Sequence, residues 1–167
     1  DFLKTALQSV LDQTCQDFEV IVVNNNSEDH TLDVIRDAGD PRIRAINYPN
    51  HGVIGAGRFA HAVLLPLLAK EPSCRLHTIV TRGGGGAEHG QSKFGFEIAS
   101  ADESDVIDNG DINAVVIATG HAAHAKLTQS ALESGKHVWV EKPLALDRDE
   151  LNAVARAREH TDAFFQV

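Results

Sequence analysis

The sequence predicts an α/β protein built on a doubly wound parallel sheet, and three observations carry that prediction. Short β-branched runs such as "FEVIVVNN", "RLHTIVTR" and "NAVVIAT" alternate with longer stretches of helical period. Strands and helices that alternate at this length pair in parallel through right-handed crossovers. A glycine turn, Gly55-Ala56-Gly57-Arg58-Phe59-Ala60, stands between one strand and its helix. The pattern also restarts near residue 50, dividing the chain into an α/β segment over 1–50 and a sheet domain over 51–167.

Each element follows from local chemistry. Phe2, Leu3, Ala6, Leu7, Val10 and Leu11 recur at helical spacing. "FEVIVVNN" (18–25) reads as a buried strand, and Ser27 is a candidate N-cap for a helix that Gly39 closes. "IRAINY" (43–48) reads as a strand, followed by the turn "YPNHG". Because "PNHGVIG" is poor in apolar residues, "IRAINY" is also a candidate start for the next strand. "RFAHAVLLPLLAK" is helical, with Pro66 expected to kink it. The run Gly83–Gly86 is expected to be a flexible loop, and "GFEIA" a weak strand. "HAAHAKLTQSALES" is a helix closed by Gly135, "HVWVEK" a strand, "DRDELNAVARAREH" a helix capped by Asp147, and "AFFQV" the start of a sixth strand.

Composition narrows the functions. Of 167 residues 43% are hydrophobic and 23% charged, as in a soluble globular protein, and no run of 18 apolar residues provides a membrane span. No signal peptide is visible. The net charge of −9 argues against nucleic acid as a partner, because backbone binding needs clustered Lys and Arg. Cys15 and Cys74 form neither a disulfide framework nor a metal-ligand spacing, which fits a reducing, cytoplasmic setting. His121 and His124 lack further Cys or His ligands nearby, so no metal site is expected.

The glycine turn has the form G-x-G-x-x-A. Gly55 allows the tight turn, Gly57 lets a diphosphate approach the backbone, and the small Ala60 lets helix and strand pack closely. The first helical amides, at Arg58 and Phe59, would then face the phosphates. A carboxylate at the end of the next strand would select NAD; Thr81-Arg82 stands there instead, and an arginine accommodates the 2′-phosphate of NADP. NADP is therefore favoured slightly over NAD, within a Rossmann-like domain.

"GVIGAGRFA", "NAVVIAT", "HAAHAKLTQSALESGKHVWVEKP" and "LALDRDEL" together resemble the N-terminal half of the Gfo/Idh/MocA oxidoreductases over about residues 51–167. The resemblance implies a nicotinamide cofactor, a sugar, cyclitol or nucleotide-sugar substrate, and a C-terminal sheet domain that supplies the usual acid/base. This chain, stopping at Val167 early in its sixth strand, is expected to lack that domain and so to bind cofactor without completing a substrate site. Lys142 of Glu141-Lys142-Pro143 matches the family lysine beside the nicotinamide, where a cation favours alkoxide character as hydride leaves carbon. Glu141 would orient it, and the peptide before Pro143 would be cis. His124 matches a family histidine near the nicotinamide, and Thr119 would pass beneath the dinucleotide. Catalytic candidates are thus Lys142 and His124; Glu141, Lys142 and Pro143 join the cofactor set. A homo-oligomer remains open.

The first fifty residues, through "VVNNNSEDHT", resemble the start of a family 2 (GT-A) glycosyltransferase, with Asn24 and Asn25 where that family contacts uracil or ribose. No D-x-D motif follows within that segment to hold a divalent cation on a diphosphate. The chain reads as pieces of two families joined near Asn50: a natural fusion, a recombined or mis-assembled gene, or an engineered chimera. A glycosyltransferase fragment and a non-catalytic nucleotide-binding protein are the alternatives to an oxidoreductase.

Overall fold

The structure, a computed structural model, describes residues 2–24, 30–47, 50–72, 74–83 and 85–167. The chain forms two compact units, Asp1–Tyr48 and Pro49–Val167. In the first, helices α1 (Phe2–Leu11) and α2 (Thr31–Asp37) accompany strands β1 (Val20–Asn24) and β2 (Ile43–Asn47). The strands pair in parallel, with Val20 opposite Ile43. Gly39 closes α2 at φ +61°, the left-handed turn its sequence position predicts. The Arg42 guanidinium, and then its backbone N–H, hold the Asp40 carboxyl at a pKa of about 2. The proposed cap Ser27 and the residues Asn25, Tyr48 and Pro49 lie outside the described residues.

The second unit carries six parallel strands: β3 (Asn50–Ile54), β4 (Arg75–Val80), β5 (Ile98–Ser100), β6 (Ala114–Ile117), β7 (His137–Val140) and β8 (Phe165–Gln166). Their order is β5-β4-β3-β6-β7-β8. The chain winds outward from β3 in one direction, returns, and winds outward in the other, so the order reverses between β3 and β6. Neighbouring residues alternate between two buried clusters: Val53, Ile79 and Val116 face one, Ile54, Val80 and Ile117 the other. Helices cover both faces. The first cluster takes side chains from α3 (Leu65–Leu68) and α4 (Gly85–Phe94); the second takes them from α5 (Ser104–Ile107), α6 (His124–Glu133) and α7 (Arg148–Glu159).

Several elements depart from the sequence-based expectation. "IRAINY" does not begin the central strand: β2 pairs with β1 in its own sheet, and β3 starts at Asn50. The polar start of β3 is held by the Asn50 side chain, which donates to Asp111 O at 2.8 Å. Gly52 lets it pass beneath α5, since a Cβ there would lie 2.4 Å from Val106 Cγ1. Gly85 and Gly86 are not loop but the first turn of α4. That helix buries Ala87 and Gly90 against the sheet, and a Cβ on Gly90 would meet Ile79 Cδ1 at 2.4 Å. Close packing thus overrides the poor helix propensity of glycine. Ahead of Pro66, residues Ala60–Leu64 form a wide π-type turn in which Leu65 N–H bonds to Ala60 O. Asp147 caps α7 as expected: its Oδ1 accepts from Glu150 N–H at 2.9 Å, and Glu150 reaches back to Leu146 N–H.

Two polar groups, the buried Lys136 and the half-buried His137, brace the amino end of β7. The Lys136 ammonium is almost wholly buried and donates to Asn109 O and Ile112 O, both at 2.7 Å. Burial lowers its pKa, and Asp108 works against that. Lys136→Ala strips both carbonyls of their donor and is expected to cost about 2–4 kcal/mol, read as a lower urea midpoint. A cost below about 1 kcal/mol would mean that water replaces the ammonium there.

His137 Nδ1 accepts from Phe164 N–H at 2.8 Å, which requires that nitrogen to be unprotonated, and burial lowers the ring's pKa below its ordinary 6.5. A lowered folded pKa contributes stability that is complete above 6.5 and lost as pH falls through the lowered value. The urea midpoint should therefore drop between pH 7 and pH 5. His137→Asn, whose amide oxygen accepts without titrating, should shrink that drop; an unchanged drop would clear His137 of responsibility.

Candidate functional site

Strands β3, β4 and β6 end level, with Ile54 opposite both Val80 and Ile117. Open α/β sheets hold ligands at such a carboxyl edge, where strand order reverses. Gly55 turns the chain there at φ +97° and donates its N–H to Val80 O at 2.8 Å. A Cβ on Gly55 would lie 2.3 Å from Ala118 O, so the turn is pressed directly against the end of β6. Gly57, by contrast, has nothing within 4 Å of where a Cβ would be. The first backbone bond of the following helix runs from His61 N–H to Gly57 O at 3.0 Å. The N–H groups of Arg58, Phe59 and Ala60 precede that bond and have no intrahelical acceptor.

A cleft of about 1000 Å³ opens over this turn, lined among others by Gly55, Gly57, Thr81, Arg82 and Thr119. Five of the sequence-predicted residues thus meet in one place. Arg58 and Phe59 stand just beyond, exposed on the first helical turn. The Thr81 hydroxyl is buried without a hydrogen-bond partner among the described residues, and Arg82 is exposed without an acidic partner among them. An unpartnered hydroxyl, an unpaired guanidinium, free helical amides and a glycine that leaves space suit a phosphorylated, hydroxyl-rich ligand such as a dinucleotide.

The far rim was missed by sequence reasoning. Ser100 at the end of β5 and Ala101, Asp102 and Glu103 after it line the same cleft. Asp102 accepts from the Ser104 N–H at 2.9 Å and hydroxyl at 2.8 Å, and these bonds, the backbone one first, lower its pKa. It is therefore a fixed negative charge on the rim. The available signal was topological: in a doubly wound sheet the third strand ends at this edge too.

The remaining candidates lie on the other side of the switch point. Glu141 continues the β7–β6 pairing, its N–H donating to Ile117 O at 3.0 Å, and the Lys142–Pro143 peptide is cis. Glu141 is half-buried and Lys142 and Pro143 are exposed; no ion pair joins Glu141 to Lys142 among the described residues. His124 is fully buried, with Nδ1 2.8 Å from Pro143 O and Nε2 3.1 Å from Thr119 O. In the first unit Asn24 ends β1, and Asn25 lies outside the described residues. Among the described residues no group of three or more His, Cys, Asp or Glu is placed to hold a metal, and no helix is long and apolar enough to cross a membrane.

Strand order, glycine turn and cleft together define a Rossmann-type domain. The family model for the oxidoreductase family with an NAD-binding Rossmann fold, Gfo/Idh/MocA, matches residues 49–167, and the chain belongs to that family. A second model, glycosyl transferase family 2, matches residues 1–62, so both claim 49–62. The scyllo-inositol 2-dehydrogenase (NAD(+)) of Bacillus subtilis is 31% identical over 115 residues, covering 69% of this chain and 34% of that protein. A dTDP-3,4-didehydro-2,6-dideoxy-alpha-D-glucose 3-reductase of Actinomadura kijaniata is 36% identical over 64% of this chain and 33% of its own length. Among solved structures, a 3-ketoreductase from Actinomadura kijaniata in complex with TDP-benzene and NADP superposes with a TM-score of 0.64 at 28% identity, covering 71% of this chain and 38% of that one. Levoglucosan dehydrogenase in complex with NADH and L-sorbose gives 0.63 at 30% identity, over 71% and 33%. The chain spans about a third of the length of the curated relatives it matches.

Proposed function

We propose that residues 49–167 hold a nicotinamide dinucleotide across the cleft and form the cofactor-binding part of an oxidoreductase. Its substrate would be a hydroxyl or carbonyl carbon of a sugar, cyclitol or nucleotide sugar. The observation that carries this reading is the open space over Gly57 at the strand-order switch, beneath which the Thr81 hydroxyl has no partner among the described residues. When bound, the nicotinamide supplies or takes the hydride. The amides of Arg58 and Phe59 hold the diphosphate, and the Thr81 hydroxyl and Arg82 guanidinium meet the ribose and its 2′ substituent. The Lys142 ammonium, at the carboxyl end of β7, hydrogen-bonds the reacting oxygen and steadies its alkoxide character. Cys15 and Cys74 are free thiols, in keeping with a reducing, cytoplasmic setting.

Fluorescence titration with NADPH and NADH tests the binding, and NAD(P) reduction with a panel of sugars and cyclitols tests the reaction. Absence of binding to either cofactor would overturn the reading, and turnover would select it over a non-catalytic nucleotide-binding protein. NADP is the favoured cofactor because Arg82 has no acidic partner among the described residues while Asp102 is already engaged by Ser104. Arg82→Ala is expected to weaken NADPH binding by ~1–3 kcal/mol and barely change NADH binding, through loss of a charge-assisted contact. Equal losses for both cofactors would remove the assignment. A second reading, a glycosyltransferase fragment, rests on the family 2 match over residues 1–62. Binding of UDP with Mn²⁺ would favour it.

A further inference from the structure

Three neighbouring strand ends open on the cleft, and each presents a different chemistry. β3 leads to Gly57 and its open space, β4 to the Thr81 hydroxyl and the Arg82 guanidinium, and β5 to Asp102 and Glu103. Neighbouring strands lie about 4.8 Å apart, so β5 stands roughly 10 Å out from β3. A nucleotide laid outward from the glycine turn places its diphosphate at the first strand end, its ribose at the second and its base at the third. At that third end most polar groups are taken. The Ser100 hydroxyl donates to Asp105 Oδ2 and accepts from Asp102 N–H at 3.0 Å. Asp102 Oδ1 accepts from both the N–H and the hydroxyl of Ser104, which leaves Oδ2 without a partner among the described residues. An ionised carboxylate oxygen only accepts, and the group it holds best is an N–H donor.

We propose that Asp102 is a specificity-determining residue that selects adenine at the outer end of the cleft, its Oδ2 accepting from the 6-amino group of the base. The inference rests on the cleft being a dinucleotide site, and it concerns which base that dinucleotide carries. The amino group is the exocyclic donor of adenine. Hypoxanthine has the same shape but a carbonyl oxygen in that place, so it turns an acceptor toward the carboxylate and is disfavoured. Arg82, one strand inward, completes the arrangement: the cation draws the phosphate-bearing ribose, the anion draws the amine, and the nucleotide lies in one direction only. Glu103 shares the rim, but its side chain makes no capping hydrogen bond. Ordering that longer chain would cost rotamer freedom that Asp102, tied to Ser104, has already given up.

The test is fluorescence titration with NADPH and with its hypoxanthine analogue, which differs from it only in the base, on the parent, Asp102→Asn and Glu103→Gln. Asparagine keeps an oxygen for the Ser104 contacts and puts an amide NH₂ where Oδ2 stood, so the turn is retained while the donor–acceptor sense toward the base is reversed. The parent is expected to prefer NADPH roughly tenfold, the size of one charge-assisted hydrogen bond at an exposed rim. Asp102→Asn should bring that ratio to unity or invert it, and Glu103→Gln should leave it unchanged. Because the ratio is taken within each protein, a general loss of affinity in a variant cancels. Equal affinities in the parent, or a ratio that Asp102→Asn leaves intact, overturns the proposal. A collapse of the ratio in Glu103→Gln alone moves the base contact to Glu103 and overturns it as well. If the parent binds neither compound, the dinucleotide reading itself falls; if it binds both equally, that reading stands and only the role of Asp102 is removed.

Discussion

Gly55→Ala is expected to cost about 4 kcal/mol or more, a loss of the size reserved for severe steric conflict. Two effects combine. The residue adopts φ +97°, where an L side chain is strained by roughly 1–3 kcal/mol before any contact is counted. The added methyl would also stand 2.3 Å from Ala118 O and 2.7 Å from Thr119 N, backbone atoms held in register by the β3–β6 pairing. Neither partner is the movable tip of a side chain, so relief requires parting the two central strands. Against a typical total stability of about 5–15 kcal/mol, the domain would be marginal or unfolded. Urea denaturation followed by circular dichroism measures this, and a cost under about 1 kcal/mol would mean that the turn relaxes freely.

Two residues further on, the same chemistry should have the opposite consequence. Gly57→Val meets nothing within 4 Å of its Cβ, so fold and urea midpoint should stay close to the parent's. The branched side chain would instead occupy the space into which a diphosphate must come to reach the helical amides. Affinity for NADPH and NADH should fall at least ~100-fold, equivalent to about 2.7 kcal/mol. Fluorescence titration of a variant shown to be folded is the decisive measurement. Undiminished binding would reduce the glycine turn to a turn alone.

The strands were legible because β-branched runs are a local signal, and the glycine turn because its spacing reports a backbone requirement. α4 was hidden for a physical reason. Its Gly85 and Gly86 read as loop formers, yet they open the helix, and Gly90 is what allows it to lie against Ile79. The polar start of β3 was obscured similarly, since its support comes from Asp111 and from the space beneath Val106. Of the candidate site, the glycines, Thr81, Arg82 and Thr119 could be placed from sequence because each lies just past the end of a strand. Asp102 could not, because its relevance depends on which strands stop at the same edge. The contacts of His124 left no trace either: its partners are backbone oxygens, 5 and 19 residues away, and any residue but its own could have supplied them.

The central place of β3 also sets a timetable for the growing chain. This strand is made first of the six yet lies between β4 and β6, and Asn50 N–H finds Asn113 Oδ1 63 residues downstream. At about 5–20 residues per second, a ribosome needs roughly 3–13 s to supply that partner. Until then Val53 and Ile54, almost wholly buried in the finished sheet, belong to a nascent strand with one edge bare. The heart of the domain thus waits longest for one of its neighbours, with an unpaired strand edge of the kind that invites aggregation, and slower translation between residues 55 and 113 should lengthen its exposure in proportion.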